Sequence, residues 1–232
     1  MLKKLFLTSC AVLLASNALA YTVSVSYNNS TPAWNTSALT GFATTGAMMD
    51  GMTVQTTYLD GSNQTAVWAD TGSSSGAATA SGYFQLSESG DTWGGSWNLN
   101  NYANSGIASI LIDAGAGNTV FDTGINANSP GSFGGWAFSV INASAILDIN
   151  ATYSGQVYVA DILYGDLYRY LKIDFTNTEG FAAGNSLSYI ADADNLFFAG
   201  DITPSVPEPS TMLLIGGGLA GLVLWRRKKQ AN

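Results

Sequence analysis

The sequence predicts an all-β, single-domain β-sandwich, jelly-roll-like, flanked by an N-terminal signal peptide and a C-terminal transmembrane helix. Three observations lead there. Between residues 21 and 203, β-branched and aromatic residues fall in short alternating or continuous runs, broken by Gly, Asn, Asp and Ser clusters. The runs recur at roughly 8–12-residue spacing, the rhythm of a sandwich or barrel rather than of βαβ units. Both ends of the 232-residue chain depart from that pattern, each pairing an apolar run with basic residues.

Taken in order, the strand candidates begin at 22–27, where Val and Tyr alternate with Thr and Ser. Further runs cover 54–59, 66–69, 83–87, 93–99, 107–113, 119–122 and 136–141. The last are 145–153, 157–163, 167–175, 187–191 and 196–202. Within 167–175, Leu171, Ile173 and Phe175 share one face, while Tyr170, Lys172 and Asp174 share the other. That is a strand with one face on a core and one in water. Residues 45–52 fit a short helix and a strand equally. The low-complexity stretch 73–78 reads as a loop, as do residues 192–195. No linker divides the body, and no repeat sets a period.

The first twenty residues read as a secretory signal. Lys3 and Lys4 form a basic start, residues 5–15 an apolar run, and Ala18-Leu19-Ala20 a small-x-small cleavage site that leaves Tyr21 first. The run is shorter than the ~20 residues that span a bilayer. Cys10 sits in a lipobox-like string, but most of the apolar run follows it, which a lipobox does not allow.

At the other end, residues 204–211 form a Pro-rich stalk containing Pro207-Glu208-Pro209. Its prolines fix φ and lack the N–H, so it is extended and clear of any sheet. Residues 212–225 follow without a charge, and residues 226–232 hold Arg226, Arg227, Lys228 and Lys229. Fourteen helical residues cover ~21 Å, short of a ~30 Å hydrocarbon core. The four cations hold their end in the cytoplasm, and the glycines of the span let a partner helix come close. This order of parts resembles the PEP-CTERM sorting signal of Gram-negative bacteria. The resemblance implies recognition by exosortase, an integral-membrane transpeptidase-like protease, after Sec export and signal-peptidase cleavage. It further implies a cut near Pro207-Glu208-Pro209, transient anchoring in the inner membrane, and delivery to the cell surface or an exopolysaccharide matrix. Parts of 93–201 also resemble the bodies of such proteins, softly and with no activity attached.

Composition narrows the rest. There is no His, which excludes Ser-His-Asp and Cys-His catalysis and imidazole metal ligands. One Cys permits no intrachain disulfide. Between the two ends only Arg169 and Lys172 face fifteen carboxylates, a net of −13 against −8 for the whole chain. Such a field repels nucleic acid.

Three constellations could carry chemistry. Asp192, Asp194 and Asn195, with Asp201 nearby, offer hard oxygens at alternate positions and suit Ca²⁺, although the EF-hand spacing is absent. Their ordinary role is turn formation. No other cofactor is expected. Trp93 and Trp97 lie four apart, so an extended segment sets both indoles on one face, where a sugar could stack. The ordinary place of a Trp is the core. Paired carboxylates could serve a polysaccharide hydrolase, but with fifteen acids some pair arises by chance, and nothing near Glu88 or Glu179 signals a raised pKa. The expected role is therefore non-enzymatic, with a carbohydrate-binding module as the alternative.

Overall fold

The computed structural model describes residues 21–30, 32–41, 43–124, 129–132 and 134–205. The signal peptide and the tail from residue 206 lie outside them. What is described is almost entirely β.

The chain opens with β1 (Tyr21–Asn28) and the short β2 (Trp34–Thr36). A short 3-10 helix at Gly46–Met48 settles the ambiguous 45–52 stretch in favour of the short helix over the strand. A five-strand meander follows: β3 (Thr53–Tyr58), β4 (Asn63–Gly72), β5 (Ser75–Ala80), β6 (Phe84–Ser89) and β7 (Ser96–Asn101). Next come β8 (Ile107–Asp113), a 3-10 turn at Ala114–Gly117, and β9 (Thr119–Asp122). Then follow β10 (Ser139–Ala143), β11 (Leu147–Val159), β12 (Leu167–Phe175) and β13 (Ser186–Ile190). The chain ends in β14 (Asp192–Asn195) and β15 (Thr203–Pro204).

β4 is the corner of the architecture. Its residues 63–67 pair with β3, whereas Trp68 to Gly72 pair with β5. One strand thus passes from one half of the sheet to the other. The first half runs β4-β3-β8-β12-β11, with β1 beyond it; the second runs β4-β5-β6-β7-β13-β10. The halves face each other across one core, to which Ile110, Ile112, Leu171 and Ile173 contribute from one side and Leu86, Leu99 and Leu187 from the other. Aromatic rings carry the contact through the middle. Trp97 meets Trp68 at 5.3 Å, Tyr189 at 6.0 Å and Phe121 at 6.2 Å, and Phe121 meets Tyr153 at 5.8 Å. Removing one such fully buried ring costs about 3–5 kcal/mol.

The all-β, single-domain expectation holds, and the doubled-over sheet is sandwich-like. The connectivity replaces the jelly-roll expectation, since a jelly roll wraps two Greek keys and here five successive hairpin-linked strands form a meander. Two parallel pairings were not foreseen. β1 runs parallel to β11 from Tyr21↔Leu147 to Asn28↔Ser154, and β2 takes over the same edge from Val157 to Val159. The runs 145–153 and 157–163 are accordingly one strand, which continues through Gly155 at φ 68°, a conformation that resists a side chain.

Other expectations are corrected. Residues 75–80, overlapping the supposed loop 73–78, form β5; Gly76 has no room for a side chain because Trp68 and the Gly46 backbone press against it. The strand near the end is 192–195, not 196–202, because the pattern Asp-Ala-Asp-Asn gives no hydrophobic signal. The stalk begins later than residue 204. Thr203 and Pro204 pair with Asn35 and Trp34, and the Ser205 N–H donates to the Ala33 carbonyl at 2.9 Å.

Candidate functional site

The two indoles expected on one face are separated. β7 starts only at Ser96, and residues 91–95 are a turn in which the Gly94 and Gly95 N–H groups both donate to the Asp91 carbonyl. Trp97 is 0% exposed, its indole N–H donating to the Ala191 carbonyl at 2.8 Å. Trp93 is 54% exposed. Its companion is Trp136, 52% exposed, with ring centroids 6.1 Å apart in an edge-to-face contact. Sequence reasoning did not single out Trp136, because the pairing depends on a contact 43 positions away.

Asp192 bonds to both segments. Its N–H donates to the Trp136 carbonyl at 2.9 Å, and its carboxylate accepts from the hydroxyl of Thr92, the neighbour of Trp93, also at 2.9 Å. The Trp93 N–H itself donates to the Asp91 carboxylate at 3.1 Å.

The proposed calcium ligands take different partners. Asp192 and Asp194 are buried on β14, opposite Asp122 and Val120 of β9. Asn195 exchanges hydrogen bonds with Thr44, and its amide donates to the Met48 carbonyl at 3.0 Å. Burial pushes the Asp201 carboxyl up, but it accepts from the hydroxyl and N–H of Ser37 and from Thr36, and these bonds together hold it below the usual range. Among the described residues no three His, Cys, Asp or Glu side chains are arranged to hold a metal ion.

What gathers instead is a buried acidic group around Asp122. Ser132 and the Gly124 N–H donate to Asp122, while Ser129 donates twice to Asp166. Burial pushes Asp192 up to about 7, with the charge of Asp122 adding to it. Burial also raises Asp194 strongly, reinforced by Asp192 and Asp122. Burial raises Asp166, opposed by its Ser129 bond. Neither basic side chain of the body serves this group. Arg169 forms a two-pronged pair with Asp113 at 2.7 and 2.8 Å and lies 3.8 Å over the Trp34 ring, and Lys172 pairs with Asp174 at 2.7 Å.

Glu88 corrects the expectation that neither body glutamate is perturbed. It is buried on β6, and neither carboxylate oxygen has a hydrogen-bond partner among the described residues. The Gly46 N–H faces it and favours its charge without closing a hydrogen bond, and backbone at Gly46 and Gly95 leaves no room for a side chain beside it. Burial, with a lesser push from Asp91, raises its pKa from 4.5 to about 8.

The remaining candidates are the sorting residues. Pro207, Glu208, Pro209, Arg226, Arg227, Lys228 and Lys229 lie outside the described residues, as do Ala18 and Ala20. The structure does fix where the body hands over to them: Ser205 is still bonded to Ala33, two positions before Pro207. At that point the comparisons are decisive. Residues 205–228 match the model of the PEP-CTERM protein-sorting motif. The tail carries a PEP-CTERM motif. The match stops short of the body, and no curated protein and no solved structure matches the chain. A PEP-CTERM motif marks export and membrane-anchored sorting through exosortase. Among the described residues no helix is long and apolar enough to cross a membrane; the expected span 212–225 lies beyond them.

Proposed function

We propose that the protein is a non-enzymatic component of the cell surface or of an exopolysaccharide matrix, delivered there by exosortase cleavage at its PEP-CTERM tail. The observation that carries this reading is the meeting of two boundaries: the motif match begins at Ser205, where the pairing of the folded body ends. A cut near Pro207-Glu208-Pro209 therefore leaves every described strand intact. Pro207 and Pro209 hold the peptide extended for the protease, Glu208 supplies a charged contact, and the basic cluster from Arg226 to Lys229 sets its depth. Sec and signal peptidase act first, at Ala18-Leu19-Ala20. The test is Glu208→Ala. The surface fraction should lose the trimmed form and uncut chain should accumulate in the inner membrane; an unchanged C-terminus by mass spectrometry removes the role given to Glu208.

A second reading, a carbohydrate-binding module, is favoured by Trp93 and Trp136. Two half-exposed indoles in edge-to-face contact form a surface on which a pyranose can stack. Retention on an affinity gel of the host's polysaccharide, lost in Trp93→Ala/Trp136→Ala, supports it; equal retention of that variant rejects it. The polysaccharide hydrolase reading gains no support from Glu88, Asp192 and Asp194, which have raised pKa values but are buried.

A further inference from the structure

At the end of the meander opposite the Trp93 turn, three connections enclose an open cleft of about 540 Å³. They are the β3–β4 turn, the β5–β6 turn and the segment after β7. Tyr58, Asp60, Ser62, Tyr83, Tyr102 and Asn104 line it. The volume lies within the ~300–1,000 Å³ of small-molecule sites.

We propose that this cleft binds a neutral glycan. Tyr83 and Tyr102 are 42% and 54% exposed, so their rings offer apolar faces at the mouth. Tyr58 lies deeper, 2% exposed, with a hydroxyl that faces Thr56 without closing a hydrogen bond. A buried, unpaired hydroxyl costs free energy unless something supplies the missing bond, and a sugar hydroxyl can both donate and accept. Asp60 stands at the rim, its carboxyl held below the usual range by the Ser62 hydroxyl and N–H, and so is an ionised acceptor for sugar O–H groups. Asn104 adds an amide that donates and accepts.

The walls are fixed before any ligand arrives. The Tyr102 and Ala103 N–H groups both donate to the Tyr83 carbonyl, at 2.8 and 3.0 Å. Asn101 ties the same segment down by bonds to the Ser105 and Phe181 carbonyls, at 2.9 and 2.7 Å. The Tyr58 N–H donates to the Ser62 carbonyl at 2.9 Å. Binding here therefore orders little backbone.

Charge selects the class. The body's two cations, Arg169 and Lys172, are engaged with Asp113 of β8 and Asp174 of β12, away from the cleft. Nothing in the cleft offsets a phosphate, sulfate or uronate, and Asp60 repels one. The site is separate from the Trp93–Trp136 surface, and the two readings fail separately.

The test is calorimetric titration of the full chain, in a detergent without a sugar headgroup. The probes are cello-, laminari-, manno- and xylohexaose, with oligogalacturonate as the anionic control. Binding of at least one neutral hexaose but not of oligogalacturonate is expected. Tyr83→Ala/Tyr102→Ala should weaken it at least tenfold with an unchanged melting temperature, Tyr58→Phe should weaken it several-fold, and Trp93→Ala/Trp136→Ala should leave the cleft's binding in place. The proposal is overturned if no neutral hexaose binds at millimolar concentration, if oligogalacturonate binds best, or if neither Tyr83→Ala/Tyr102→Ala nor Tyr58→Phe changes affinity.

Discussion

Replacing Glu88 by Gln removes a charge that the fold is poorly equipped to hold. The folded pKa of about 8 lies above the unfolded 4.5. Between these values the folded chain keeps a proton that the unfolded chain releases, so stability falls as pH rises. The contribution is intact below pH 4.5 and fully lost above about 8. At 1.36 kcal/mol per unit, the displacement is worth about 5 kcal/mol; relaxation and water entry around a charged carboxylate reduce it, leaving about 2–5 kcal/mol. Glu88→Gln should therefore match the parent near pH 4 and exceed it by that amount at pH 9. Guanidinium unfolding at pH 4, 6.5 and 9, followed by the fluorescence of buried Trp68 and Trp97, measures the difference. Asp166, Asp192 and Asp194 also lose stability as pH rises, but they do so in both proteins and cancel. A difference that does not change with pH, or a parent more stable at pH 9 than at pH 4 relative to the variant, refutes the reasoning.

Trp97→Ala should cost about 3–5 kcal/mol, as expected for emptying a packed core site, and Trp93→Ala less than about 0.5 kcal/mol; similar losses by chemical denaturation would contradict the separation of the two indoles. Ending the chain after Ser205 should leave the melting temperature of the processed body unchanged, whereas ending it after Ile202 removes the pairing to β2 and should cost about 1 kcal/mol. If protons neutralise Asp192 and Asp194, melting temperature at pH 6 will not differ between EDTA and millimolar Ca²⁺, and Asp194→Asn will be stabilising there. A rise of several degrees in Ca²⁺ instead establishes a cation in that group.

Strands with a two-residue period were legible in the sequence. Residues 107–113 and 119–122 have the bounds read from it, and 167–175 buries Leu171, Ile173 and Phe175 as the alternation requires. β5 was not legible, because Gly76 is dictated by Trp68 and Gly46 packed against it and its Ser, Gly and Ala carry no β-branched or aromatic signal. β14 was hidden for a related reason. Its aspartates look like turn formers, yet each points into hydroxyl donors or other carboxyls brought in by β9 and by distant loops. The site residues divide in the same way. The sorting tail is a linear signal and could be read residue by residue. The Trp93–Trp136 pair, the Asp122 group and the tyrosine cleft depend on long-range registry, which spacing alone does not encode. The misplaced start of the stalk shows the limit of proline as a breaker: Pro204 pairs at an edge, where a missing N–H is tolerated.

On the proposed reading, the apolar stretch 212–225 routes the protein and is then removed. The intact mass of the protein recovered from the cell surface decides it. A chain that begins at Tyr21 and ends near Pro207-Glu208-Pro209 is expected, with any transferred group visible as added mass. A stable surface product that still contains Trp225 and the four following cations would contradict it.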